Sequence, residues 1–122
     1  MNTLDNKLQQ LLWEGTVIPA HPLALNEDRS IDEAHQRLLT QYYIASGAGG
    51  IAVAVHSTQF EIRDPEINLF ETVLRWASEE VEKAELQRPF IKIAGICGAT
   101  DQAEQEATTA LKYGYDIGLL SM

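Results

Sequence analysis

The sequence predicts an α/β fold of alternating apolar strands and amphipathic helices, on three observations. Short apolar runs recur at Thr16–Ala20, Gly50–Val55, Phe90–Ile96 and Tyr115–Leu120. Between them, apolar residues repeat every three or four positions, the spacing of a helix with one buried face. Glycines stand at the helix-to-strand joints, as Gly47-Ala48-Gly49-Gly50 and Gly114, where a left-handed residue lets the chain turn. Such alternation implies parallel strands joined by right-handed crossovers. It suits part of a barrel and also a doubly wound sheet.

Leu4, Leu8, Leu11 and Leu12 form a short lead-in helix that Gly15 stops. Thr16–Ala20 is the first strand, interrupted by Pro19 and followed by a long polar loop through Asn26 to Arg29. Ser30-Ile31-Asp32-Glu33 matches the capping box, in which the serine hydroxyl and the glutamate carboxylate each satisfy an orphaned backbone N–H. It predicts a helix from about Ile31 to Ser46 carrying Ile31, Ala34, Leu38, Tyr42 and Ala45 as its apolar positions, with Gly47 as its left-handed end. Gly50–Val55 is apolar on both alternating faces, as for a strand buried between a barrel interior and a helix layer.

Asp64-Pro65-Glu66 supplies a cap, a proline at the first helical position and an acid at the positive helix end. The helix that follows should turn Ile67, Phe70, Val73, Leu74, Ala77, Val81 and Ala84 inward until Pro89 ends the segment. Phe90–Ile96 is the third strand, with Lys92 near its beginning. Thr100-Asp101 caps a third crossover helix through Ala103, Ala107, Ala110 and Leu111 to Gly114, and Tyr115–Leu120 is the fourth strand.

At 122 residues the chain is one domain or part of one, since a whole (β/α)₈ barrel needs roughly 250. A composition 45% hydrophobic and 22% charged can build a packed core. The net charge of -9 repels phosphate backbones and anionic lipid, so neither nucleic acid nor membrane is expected as a partner. The N-terminus lacks a signal peptide's cationic start, no run of about 18 apolar residues exists, and the single Cys97 can form no internal disulfide. A cytoplasmic protein is expected.

Several segments together resemble the N-terminal half of the dihydrodipicolinate synthase / N-acetylneuraminate lyase family: Gly15-Thr16-Val17-Ile18-Pro19, Gly47-Ala48-Gly49-Gly50-Ile51-Ala52-Val53, Ala94-Gly95-Ile96-Cys97-Gly98 with Thr100, and Glu106-Ala107 through Gly114-Tyr115-Asp116. The resemblance spans nearly the whole chain. It implies a partial (β/α)₈ barrel, about its first four strands with a lead-in helix, residues 1–122 being the N-terminal part of a single barrel domain. It also implies a Schiff-base (class I) aldolase or lyase acting on a small oxo acid such as pyruvate, with no cofactor, in a homo-oligomer. The family's lysine and tyrosine are then expected beyond Met122, so this segment alone should be inactive.

The family's Gly-Thr-Thr-Gly-Glu signature, which holds the substrate carboxylate, corresponds here to Val55-His56-Ser57-Thr58-Gln59-Phe60. The resemblance assigns substrate binding to His56, Ser57, Thr58 and Gln59, with Ser57 on a signature threonine in either register. Both family glycines are missing, so the loop backbone meets its ligand differently. A non-catalytic half-barrel acting as an oligomerising or binding module is the alternative reading.

In a half-barrel the C-terminal strand ends bring together Ala20 and His21, His56 to Gln59, Cys97 and Gly98, and Ser121. His21, His56 and Cys97 are ligand types that zinc accepts, but no tight pair such as His-x-His supports a site and none is assigned. Nothing in the sequence places a base beside Cys97. Glu61 and Asp64 are two nearby carboxylates of the kind a glycosidase pair needs, but Asp64 already has a capping role. Glu79-Glu80-Val81-Glu82 reads as a solvated helix face, and Tyr42 and Tyr43 as helix-packing or subunit-contact residues. Lys92 lies at the wrong end of its strand for a barrel active site.

Overall fold

A computed structural model describes residues 6–21, 32–55, 69–97 and 100–121. In chain order the elements are α1 (Asn6–Glu14), α2 (Glu33–Ala45), β1 (Gly50–Val53), α3 (Phe70–Ala84), β2 (Ile91–Cys97), α4 (Thr100–Lys112) and β3 (Ile117–Ser121). The three strands form one parallel sheet in the order β1-β2-β3, and β3 pairs with β2 alone among the described residues. Sequential parallel neighbours joined by helices are the repeating unit of a barrel wall.

The first predicted strand is not a regular one. Residues 16–21 nevertheless run parallel beside β1: Gly49 N–H donates to Val17 O, Ala52 N–H to Pro19 O and His21 N–H to Ala52 O at 2.9, 3.0 and 2.8 Å, and Ala20 bridges to Ala52. Pro19 is directed at β1 but has no N–H to give, which leaves the ladder incomplete. Gly49 is required here, because a Cβ would collide with the Thr16 side chain.

α2 starts two residues later than the capping box predicts. Asp32 is the N-cap, its carboxylate accepting from His35 N–H at 3.0 Å; Ser30 lies outside the described residues. The left-handed turn at its end falls on Gly47 (φ +88°) as expected, and Gly114 (φ +77°) does the same after α4. α3 has Leu69 at its cap position with no side-chain bond, and ends at Glu85, left-handed at φ +47°, before Pro89 is reached. The predicted start at Asp64-Pro65-Glu66 is outside the described residues.

Phe70, Val73, Leu74 and Ala77 of α3 pack on Ile51, Val53, Ala94 and Ile96 of the sheet, with Ala110 and Tyr115 completing the core. Burying each of the larger apolar side chains contributes about 2 kcal/mol. Val81 is partly buried, whereas Ala84 is exposed, contrary to the inward face predicted for α3.

The larger correction concerns α2. Its stripe Ala34, Leu38, Tyr42 and Ala45 faces outward, and the face turned to the sheet is Gln36, Thr40 and Tyr43. A buried histidine explains the exchange: His21, 1% exposed, donates through Nε2–H to Thr40 Oγ1 at 2.7 Å and accepts at Nδ1 from the Gln36 amide at 3.3 Å. An apolar helix face laid over that ring would leave its polar atoms unsatisfied.

Arg37 clamps α2 to α3. Its guanidinium donates to Glu79 at 2.7 Å and Glu80 at 2.9 Å and to Glu33 of its own helix at 2.9 Å, and lies 5.7 Å over the Trp76 ring. Glu80 is 5% exposed, so the acidic run of α3 is not wholly a solvated face. Burial works to raise the Glu80 carboxyl, but hydrogen bonds from Gln41, Arg37 and Lys83 hold it below the ordinary value.

Candidate functional site

Parallel strands place their C-terminal ends on one side, where a barrel gathers its chemistry. Here that side carries the ends of 16–21, β1, β2 and β3. β1 finishes in a kink, because Ala54, 1% exposed, adopts φ +62°, a left-handed conformation that costs a non-glycine residue roughly 1 kcal/mol. The kink is held from below: a Cβ on Gly95 of β2 would collide with Ala54 O and press on Val55 Cα. The Ala54–Gly95 contact therefore steers the chain off β1 and over the neighbouring strand.

At the end of β2, Cys97 N–H donates to Glu106 Oε1 at 2.9 Å, and the Gln102 amide donates to Glu106 Oε2 at 2.9 Å. Glu106 is a helix residue only 7% exposed. Its carboxylate thus caps the strand end and ties the β2-to-α4 turn to α4. Neither Glu106 nor Gln102 stands out in the sequence; their four-residue spacing, which brings both side chains to one side of a helix, is the available signal.

His56, Ser57, Thr58 and Gln59 lie outside the described residues, as do Gly98, Glu61 and Asp64. His21 is at the expected strand end, but its ring turns back under α2 rather than into the mouth. Cys97 is half-buried. Among the described residues, no group of three or more potential metal ligands comes together.

The opposite end of the sheet is equally polar, for a different reason. Lys92 Nζ donates to Tyr113 O at 2.9 Å and to Ser78 Oγ at 3.0 Å, and stands 5.3 Å over the Tyr115 ring. The Ser78 hydroxyl donates to the same Tyr113 carbonyl at 2.7 Å. Lys92 N–H donates to Asp116 Oδ2 and Asp116 N–H to Lys92 O, each at 2.8 Å. Burial lowers the Lys92 ammonium below its usual range, while Asp116 and Glu82 oppose the shift. This lysine fastens the α4-to-β3 turn at the start of its strand. The other three lysines, Lys7, Lys83 and Lys112, belong to helices.

No protein-family model matches the sequence, and no curated protein resembles it in sequence. Solved structures resemble it in fold. N-acetylneuraminate lyase from Fusobacterium nucleatum superposes with a TM-score of 0.73 at 22% identity, over 88% of this chain and 35% of that one. Dihydrodipicolinate synthase from Bacillus clausii gives 0.66 at 23% identity, over 85% of this chain and 33% of that one. The corresponding enzyme from Aquifex aeolicus gives 0.68 at 23%, over 86% and 33%. The chain has the fold of the N-terminal part of these (β/α)₈ barrels. It spans about a third of their length. At these identities the likeness is one of fold, and it agrees with the strand and helix order predicted from the sequence. Among the described residues, no helix is long and apolar enough to cross a membrane.

Proposed function

We propose that this chain supplies the N-terminal strands and the substrate-carboxylate loop of a Schiff-base aldolase or lyase acting on a small oxo acid such as pyruvate. Residues 1–122 then form the N-terminal part of one barrel domain, and the reactive lysine comes from outside them. The observation that carries this reading is the likeness of fold to solved lyase and synthase structures, over 88% and 85% of this chain. The kinked exit of β1 at Ala54 supports the assignment of His56, Ser57, Thr58 and Gln59 to the substrate, with hydroxyl donors in place of the family's glycine amides. The positions of the four lysines support a nucleophile from elsewhere, since every one is on a helix or at a strand start.

The coding sequence following Met122 provides the test. A chain extended through a Pro-Tyr turn and a strand-borne lysine should be trapped by pyruvate and borohydride on that lysine, and Ser57→Ala should weaken trapping. An extended chain that forms no adduct overturns the reading.

A second reading, a non-catalytic module that oligomerises, is favoured by the sheet's open sides and by the exposed apolar stripe of α2.

A further inference from the structure

A cavity of about 410 Å³ opens at the start of β2, lined by Arg75, Ser78, Glu79 and Glu82 of α3, Lys92 of β2 and Lys112 at the end of α4. Its walls come from consecutive elements, α3, β2, α4 and the turn that follows. Residues 75, 78, 79 and 82 stand at i, i+3, i+4 and i+7, so α3 turns all four to one side. Lys92 is the second residue of β2 and Cys97 its last, so at about 3.3 Å per residue the two positions are roughly 16 Å apart. The cavity is therefore separate from the strand ends that carry the candidate site.

The cations of this cavity are short of partners. Lys92 Nζ donates to neutral oxygens, Ser78 Oγ and Tyr113 O, and among the described residues neither it nor Arg75 forms an ion pair. Arg75 is exposed and acts on Glu71 only through longer-range attraction. Lys112 pairs with Glu71 at 3.3 Å, but both side chains are open to solvent and such a pair is weak. Of the two carboxylates in the lining, Glu79 is held by Arg37 at 2.7 Å, which leaves Glu82. Arg75 and Lys92 thus face one uncommitted carboxylate, with Lys112 able to join them, in a chain whose net charge is -9. Gly114 matters here as well, since a Cβ on it would stand 3.1 Å from Lys92 Nζ and crowd the ammonium. A half-buried ammonium without a carboxylate partner carries a desolvation cost that an anion from solution would offset.

We propose that this cavity binds a phosphate group, free or carried as a monoester, with Arg75 and Lys92 as its main contacts and Lys112 as a third cation. A guanidinium fork offers paired donors to two phosphate oxygens, and an ammonium supplies a point charge to another. The ammonium of Lys92 has three donors, of which Ser78 and Tyr113 take two. Glu82 repels the same group and limits the affinity. The ligand bridges α3 to the turn between α4 and β3, so its occupancy stabilises the fold. The proposal is independent of the chemistry proposed above.

Calorimetric titration of the 122-residue chain with inorganic phosphate, and separately with glycerol phosphate, tests it at an ionic strength held constant with chloride. Saturable binding of at least one of them is expected, and the tighter of the two distinguishes the free ion from the ester. Arg75→Gln should weaken that binding about tenfold or more, the loss of a charge-assisted contact, with unchanged circular dichroism because Arg75 is exposed. Glu82→Gln should tighten it. Lys83→Gln removes a cation of α3 outside the cavity and should leave it unchanged, which separates a site from general screening. No saturable binding of either compound overturns the proposal. So does an Arg75→Gln chain that binds like the wild type, a Glu82→Gln chain that binds more weakly, or an equal loss in Lys83→Gln.

Discussion

Lys92 Nζ donates to the carbonyl of Tyr113 at 2.9 Å, across the turn that joins α4 to β3. The bond puts the only strand-borne lysine of the chain to structural use, at the end of the sheet remote from the candidate site. Lys92→Met should destabilise the fold by about 2 kcal/mol, measured by urea denaturation. The folded state lowers the ammonium's affinity for protons, so in the window below the unfolded value of 10.5 the unfolded chain binds more protons and stability rises with pH. The difference between wild type and Lys92→Met should therefore grow as pH approaches 10.5 from below.

Tyr115 lies beside that lysine, 5% exposed, and donates to Leu74 O at 2.9 Å. Burial pushes its phenol well above the usual value. Above pH 10.0 the unfolded chain loses this proton first, so the group's contribution falls as pH rises. Tyr115→Phe should cost about 1 kcal/mol at neutral pH and remove that alkaline loss, as read from thermal melts across the range.

Arg37→Gln should cost about 3 kcal/mol, because it removes the nearer cation from the buried Glu80 carboxylate and leaves only the exposed Lys83 at 3.4 Å. Glu80 is held below 4.5 in the folded chain. Its contribution is present above that unfolded value and is lost as pH falls through the lower folded one. The variant's acid unfolding should accordingly be flatter than the wild type's.

Much of this architecture is legible in the sequence. Gly47 and Gly114 mark left-handed helix ends because each follows a periodic run, and Lys92 is placed at its strand's start because Pro89 comes just before. The inner face of α2 is hidden because its partner is a histidine distant in sequence: Gln36 and Thr40 look like solvent residues until His21 lies under them. Asp32 and Ser30 are equally able caps, so the true start of α2 depends on how the chain arrives. His21 illustrates the remaining difficulty, since a strand-end residue points to the mouth or to the helix layer according to a one-residue alternation.

Ala54 and Gly95 meet where β1 ends. Gly95→Ala should destabilise the chain by about 3 kcal/mol through the collision with Ala54 O. Ala54→Gly should be neutral or stabilising by up to about 1 kcal/mol, since glycine adopts the left-handed conformation freely. Guanidinium titrations of both variants check the pair.

The reactive lysine is expected from outside these residues. Incubating the 122-residue chain with pyruvate, reducing with borohydride and mapping lysines by mass spectrometry tests this directly. Unmodified Lys7, Lys83, Lys92 and Lys112 are predicted. A reduced pyruvate adduct on Lys92 would contradict the account.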